Sequence, residues 1–235
     1  MTVLQVAQLA SSVIGITRPT ILFAATDDTS VQVQDCINET AQMVAFDAGH
    51  DWTKLKALAT ITGDGSATTF SLPTDYARML LKSSLWPSAM PNVPLMHVPD
   101  TDTWLGLVVQ NFTTITPRWT IIGTQINILP AVAAAATVKY YYLRNTIITD
   151  AAAAVKTAFT ADTDTFPLGE RLLRLAFIYR WKQDRGQDYG EAMEDYQTAL
   201  ATHIGHDKGS NILVSGRQRA PQVRAGLAFP GTLGV

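Results

Sequence analysis

The chain has 235 residues, a formal net charge of −2 and 16% charged residues. That length holds one large domain or two small ones and buries a sizeable core without covalent staples. The near-neutral charge gives no global pull toward nucleic acid or an anionic membrane. The single cysteine, Cys36, excludes an internal disulfide framework and fits a protein made in a reducing cytoplasm. It is expected on an apolar helix face as a small hydrophobe. The start, Met1 to Ala10, lacks the basic region of a signal peptide. No apolar run approaches the roughly 20 residues of a membrane span, so a soluble protein with no membrane partner is expected.

In chain order, residues 2–14 place Val3, Val6, Ala7, Ala10, Val13 and Ile14 at helical spacing, ended near Arg18-Pro19. Residues 29–49 predict a longer helix, capped by Thr29 or Ser30. Its stripe is Val33, Cys36, Ile37, Thr40, Ala41, Val44 and Ala48, with Gly49 as the stop. Trp52 and Leu55 are expected to fold back on it. From residue 57 the period changes to two. The alternation on either side of Gly63-Asp64-Gly65 predicts a β-hairpin, and Met79 to Trp86 a further strand. Asp100 to Val109 predicts a short helix, and Trp119 to Leu129 a hairpin around Gly123-Thr124. Thr137 to Leu143 is a strand by its β-branched and aromatic content.

Residues 144–166 read as a connecting loop with an alanine tract. A strong helix is then expected from Pro167, with Leu168, Leu172, Leu175, Ala176 and Tyr179 inward and an end at Gly186. Asp188-x-x-Glu191 has the form of a capping box for a last helix through Ile204, which completes an antiparallel helical hairpin. Residues 208–235 carry Lys208, Arg217, Arg219 and Arg224 but no acidic residue, with five glycines and two prolines. That composition reads as an extended arm without a core of its own. The expected fold class is therefore α+β. N-terminal helices and a C-terminal helical hairpin (1–56 and 160–207) form a bundle, a small antiparallel β domain (57–159) is inserted, and an arm (208–235) extends from the end.

No catalytic constellation emerges. Gly63-x-Gly65-Ser66 fails the nucleophile-elbow pattern, and phosphate-loop, dinucleotide and His-Glu-x-x-His motifs are missing. His203-x-x-His206-Asp207 is the nearest approach to a metal site, but histidines at the end of a helix are the plainer reading. Asp150, Asp162 and Asp164 lack the glycine and glutamate of a calcium loop, so helix capping and loop solvation are expected. No enzyme activity, cofactor or metal is expected. Tyr179, Trp181, Tyr189 and Tyr196 stand either as a ligand-stacking platform or, more plainly, as core and subunit-interface residues. Arg174, Arg180 and Arg185 stand as nucleic-acid contacts or as a solvated or intersubunit salt-bridged face. The arm suits an acidic groove on a protein partner, with phosphate contact as the less specific alternative.

The run Glu170 to Leu200, followed by Asp207-Lys-Gly, resembles head-to-tail adaptor (connector) proteins of tailed bacteriophages. Phe70-Ser-Leu-Pro-Thr-Asp-Tyr-Ala-Arg78 is similar to that family's strand entry, and Ile121 to Pro130 to its hairpin, with residues 30–55 as its first long helix and Trp. The likeness covers about two-thirds of the chain and consists of packing patterns. It implies a structural virion protein in the neck, made in the host cytoplasm, in a homo-oligomeric ring of twelve copies. The ring's partners would be the portal protein above and a tail or nozzle protein below, with double-stranded genomic DNA passing non-specifically through the channel. It implies the arm as the portal anchor, with Arg217, Arg219 and Arg224 as contacts. The helical hairpin is implied as the ring interface, with Arg174, Tyr179, Trp181, Tyr189 and Tyr196. The alternative function is a virion module that binds carbohydrate or a host surface through the β insertion.

Overall fold

The computed structural model describes residues 1–81, 83–110 and 116–207. Helix α1 spans Val3–Ile14 and opens on a reciprocal cap: Gln5 N–H donates to Thr2 Oγ1, and the Thr2 N–H donates to Gln5 Oε1. Helix α2 spans Asp28–Gln42 and runs on through a π-helical turn, Met43–Asp47. Its cap is Asp27, which accepts from the Ser30 N–H at 3.0 Å; the sequence placed the cap two or three residues later. A 3₁₀ turn, Thr53–Leu55, leads into β1, Lys56–Thr62. Short strands follow: β2 Thr69–Ser71, β3 Tyr76–Met79, β4 Trp86–Pro87 and β5 Met96–His97. Helix α3 spans Thr101–Val109. Next come β6 Arg118–Ile122, β7 Gln125–Leu129, β8 Thr137–Arg144, β9 Ile148–Thr149 and β10 Val155–Lys156. Helices α4, Glu170–Asp184, and α5, Gly190–Asp207, end the described chain. The α+β class expected from the sequence is the class observed.

Two compact units divide these elements. The first holds residues 1–59, 72–83 and 141–207, and the second 60–71 and 84–140, as far as they are described. The first unit is a helical layer. Helix α4 packs against α1, α2 and α5, and Leu172, Leu173, Ala176, Phe177, Ile178 and Trp181 are buried along it. The sequence reading found one stripe on α4. Its burial is wider, because a helix flanked by three others needs apolar residues on more than one face. From α1 come Val3, Val6, Ala7, Ala10 and Ile14, and from α2 Val33, Ile37 and Ala41. Trp52 folds back as expected, its indole donating to the Val44 carbonyl at 3.1 Å. Strand β3 pairs antiparallel with the end of β8, through Tyr76↔Arg144 and Met79↔Tyr142. Helix α4 starts later than the sequence suggested. Gly169, with φ +129°, stands before its first residue, a conformation that holds the Pro167-Leu168 stretch outside the helix.

In the second unit β2, β7, β6 and β5 form one sheet in that order. Strands β6 and β7 make the expected hairpin, closed by Gly123-Thr124 between Ile122↔Gln125. The pairing of β5 with β6 is parallel, through Met96↔Arg118 and His97↔Trp119, where only antiparallel pairs were expected. A parallel pair needs a crossover, and α3 lies in that connection. The expected hairpin around Gly63-Asp64-Gly65 does not form: β1 borders β8, whereas β2 pairs with β7. The reason is local. Gly63 N–H donates to Ala136 O at 2.8 Å and Ala135 N–H donates back to Gly63 O at 3.0 Å, so the turn is bonded to residues 132–136. A Cβ on Gly63 would sit 2.4 Å from Ala133 O, so only glycine admits this approach. Where one strand was expected over 79–86, β3 ends at Met79 and β4 begins only at Trp86, and β4 takes Lys139 and Val138 of β8 as partners.

Candidate interaction surfaces

The loop between β8 and α4 shows what the acidic residues of this chain do. Asp162 accepts the backbone N–H groups of Leu22 (3.1 Å) and Phe23 (2.8 Å), 140 and 139 residues away. Asp164, fully buried, accepts from Thr160 N at 2.8 Å, Ala161 N at 3.0 Å and the Lys156 ammonium at 3.1 Å. Burial pushes its carboxyl up, but these donors outweigh burial and hold it below the usual range. Asp150 accepts from Ala152 N and Ala154 N, both at 2.8 Å. The three carboxylates are thus acceptors that fold loops. Beside them Asn38 exchanges hydrogen bonds with the backbone of Phe159, strapping the loop onto α2.

The end of α5 is tied down in the same way. Asp207 accepts from His50 Nε2 at 2.8 Å, from Thr53 N at 3.0 Å and from the Thr53 hydroxyl. Burial raises the Asp207 carboxyl, and the Thr53 and His50 donors more than offset it, so its pKa falls below the ordinary value. His203 packs on Gly169, where an added Cβ would lie 2.9 Å from the imidazole Cε1. Burial first, then electrostatic repulsion from the His206, Arg171 and Lys54 side chains, holds its pKa down. Among the described residues no group of three His, Cys, Asp or Glu side chains stands together as a metal site. No described helix is long and apolar enough to cross a membrane.

The residues expected at a ring interface separate into three places. Tyr179, Tyr189 and Tyr196 come together: Tyr179 stacks on Tyr196 at 5.9 Å and 7°, and meets Tyr189 at 5.9 Å. Tyr196 is 8% exposed and Tyr189 39% exposed, so this ladder runs from core to solvent. Trp181 is buried against Phe177 on a different face of α4, and the Arg185 guanidinium covers its ring at 4.3 Å. Its indole N–H donates to no described residue. Arg174, half-buried, lines a hollow of about 300 Å³ with Leu9, Val13, Leu175 and Ile178. Leu9 and Val13 are among the exposed large apolar residues. Arg180 is paired with Glu39 at 2.6 Å and Asp184 at 3.4 Å. The candidate anchor residues Arg217, Arg219 and Arg224 lie outside the described residues.

The sequence reading missed a groove. Along α2 and its π turn, Asp35, Glu39, Met43 and Asp47 recur at every fourth residue and so share one face. That face borders three adjoining hollows of about 390, 180 and 290 Å³, which share Glu39, Met43 and Asp47 as walls. The four-residue recurrence was visible in the sequence, but an acidic stripe on a helix usually marks a solvated face.

A family model described as SU10 adaptor protein matches residues 1–224. No curated protein matches the chain. With nearly the whole chain inside that match, the protein belongs to the SU10 adaptor protein family, a family of bacteriophage structural proteins.

Proposed function

We propose that the protein is the head-to-tail adaptor of a phage neck: copies of it close into a ring of twelve that joins the portal to the tail or nozzle and leaves a channel for double-stranded genomic DNA. The observation that carries this reading is the adaptor-family match across residues 1–224. In this proposal the helical parts, 1–56 and 160–207, form the ring. Residues 57–159 are an insertion on that frame, and the 208–235 segment is the portal anchor through Arg217, Arg219 and Arg224. Ring closure joins two different surfaces of successive copies. Two surfaces of the helical unit suit this use: the hollow with exposed Leu9 and Val13 beside Arg174, and the tyrosine ladder that ends at Tyr189.

The test is co-sedimentation with a purified portal ring from the same genome, comparing the full chain with one ending at Asp207. The full chain is expected to decorate the portal, and the shortened chain to lose most of that binding. Equal binding by both would remove the anchor role from the 208–235 segment, and binding by neither would overturn the adaptor reading.

A further inference from the structure

The groove along α2 has a definite chemistry. Its floor includes Met43, Tyr179, Tyr196 and Leu200, and its rim carries Asp35, Glu39, Asp47 and Asp184. Arg180 is engaged with Glu39 and Asp184, and Arg185 lies over Trp181 and donates to Gln32. Asp35 and Asp47 form no ion pair with any described residue. The negative field is felt by the groove's own side chains. Burial and then Asp184 push the Cys36 thiol up to about 11. Burial, then Tyr179 and Asp47, raise the Tyr196 hydroxyl. A groove with an apolar floor and two unpaired carboxylates, Asp35 and Asp47, on its rim fits an extended segment that alternates cations with apolar residues.

The chain contains such a segment. Residues 208–235 hold Arg217, Arg219 and Arg224 among Ile212, Leu213, Val214, Leu227 and Phe229, with no carboxylate side chain. The described chain ends next to the groove. Asp207 is fixed to His50, two residues beyond Ala48, which lines the groove end together with Leu200. From Gln32 to Ala48 the groove follows α2 for roughly 24 Å. Ten extended residues from Asp207 to Arg217 reach roughly 33 Å, and Arg217 to Arg224 covers roughly 23 Å more. Attachment at Asp207 also supplies a high effective concentration, which favours a chain's own segment over one from another molecule.

We propose that in the free protein the groove between α2 and α4–α5 holds the chain's own 208–235 segment, with its arginines on Asp35 and Asp47. The inference stands on the groove and on the segment's composition and does not require the portal. If the adaptor reading also holds, the segment is released from this groove when the portal competes for the same arginines.

The test is disulfide trapping in the full chain. Gln218→Cys is paired with Gln32→Cys at the groove, and separately with Ser12→Cys on exposed α1 as the control, each with Cys36→Ala. The same pairs with Cys36 retained, its thiol buried, repeat the measurement if Cys36→Ala folds poorly by circular dichroism. At dilute protein and low salt the groove pair is expected to close within one molecule about tenfold faster than the control. Asp35→Lys with Asp47→Lys, or high salt, is expected to bring it down to the control rate. Equal rates for the two pairs, cross-linking only between molecules, or a groove rate insensitive to both charge reversal and salt would each overturn the inference. Portal co-sedimentation is read separately, so failure of this contact and failure of the adaptor reading are distinguishable.

Discussion

In the helical unit α4 packs against three other helices, and the apolar residues of α1, α2, α4 and α5 share one core in which Phe177 is fully buried. In the β-rich unit α3 buries Trp104 but leaves Leu105, Val108 and Val109 between 49% and 74% exposed. The first unit is closed further by side chains that bond distant backbone, such as Asp162 to Leu22 and Asn38 to Phe159. In the second the distinguishing bonds are between backbone and backbone, such as Gly63 with Ala135 and Ala136. A closed core with polar straps gives a rigid frame on which grooves and aromatic ladders can be held in place. Short strands with an apolar helix face in water put less of their side-chain surface to that use.

The largest effect is expected when a side chain is removed at the centre of the helical unit. Phe177→Ala is expected to cost the protein about 3–5 kcal/mol in urea unfolding. A loss below about 1 kcal/mol would mean that α4 is not the packed centre. In the β-rich unit the corresponding weak point is backbone rather than core. Gly63→Ala is expected to destabilise by about 1–3 kcal/mol, because the methyl must push the 132–136 loop away. Unchanged stability would show that the loop yields freely.

The straps predict a pH dependence. The pKa values of Asp164 and Asp207 are lowered on folding, so the folded protein binds fewer protons at these sites than the unfolded chain does. Their contribution is complete above the ordinary carboxylate range near pH ~4 and is lost as pH falls through the lowered folded values. Asp164→Asn is expected to lower Tm at pH 7 and to flatten the fall in Tm on acidification; an unchanged acid profile would count against the strap. The smallest effect is expected at the exposed helix. Val109→Ala, at a residue 74% exposed, should change unfolding free energy by no more than about 0.5 kcal/mol. A larger loss would reveal that α3 is covered in solution.

The elements with a full local pattern were legible in the sequence. The span of α1, the Asp100 start of α3, the Gly123-Thr124 hairpin and the strand Thr137 to Arg144 all stand where the residues placed them, within a residue or so, although Val13 of the expected α1 stripe is exposed. What failed was partner choice. Gly63-Asp64-Gly65 announces a turn, but nothing nearby says that β1 will border β8 while β2 joins β7. The ribbon of β9 and β10 was hidden by its two-residue strands beside an alanine tract. Of the surfaces, the tyrosine ladder was legible as a set of residues at helical spacing. The placement of Trp181 in a separate hollow depended on the packing of α2 beside α4. The roles of Asp162 and Asp207 were invisible for a simpler reason: their partners lie 139 or more residues away.

A chain proposed to close into a ring on a portal should be seen to do so in solution. Native mass spectrometry of the full chain mixed with the portal from the same genome tests it most directly. A discrete complex is expected in which twelve copies of the chain add to one portal ring, with no stable partial series. Free monomers beside an undecorated portal, at concentrations where both are folded, would contradict it.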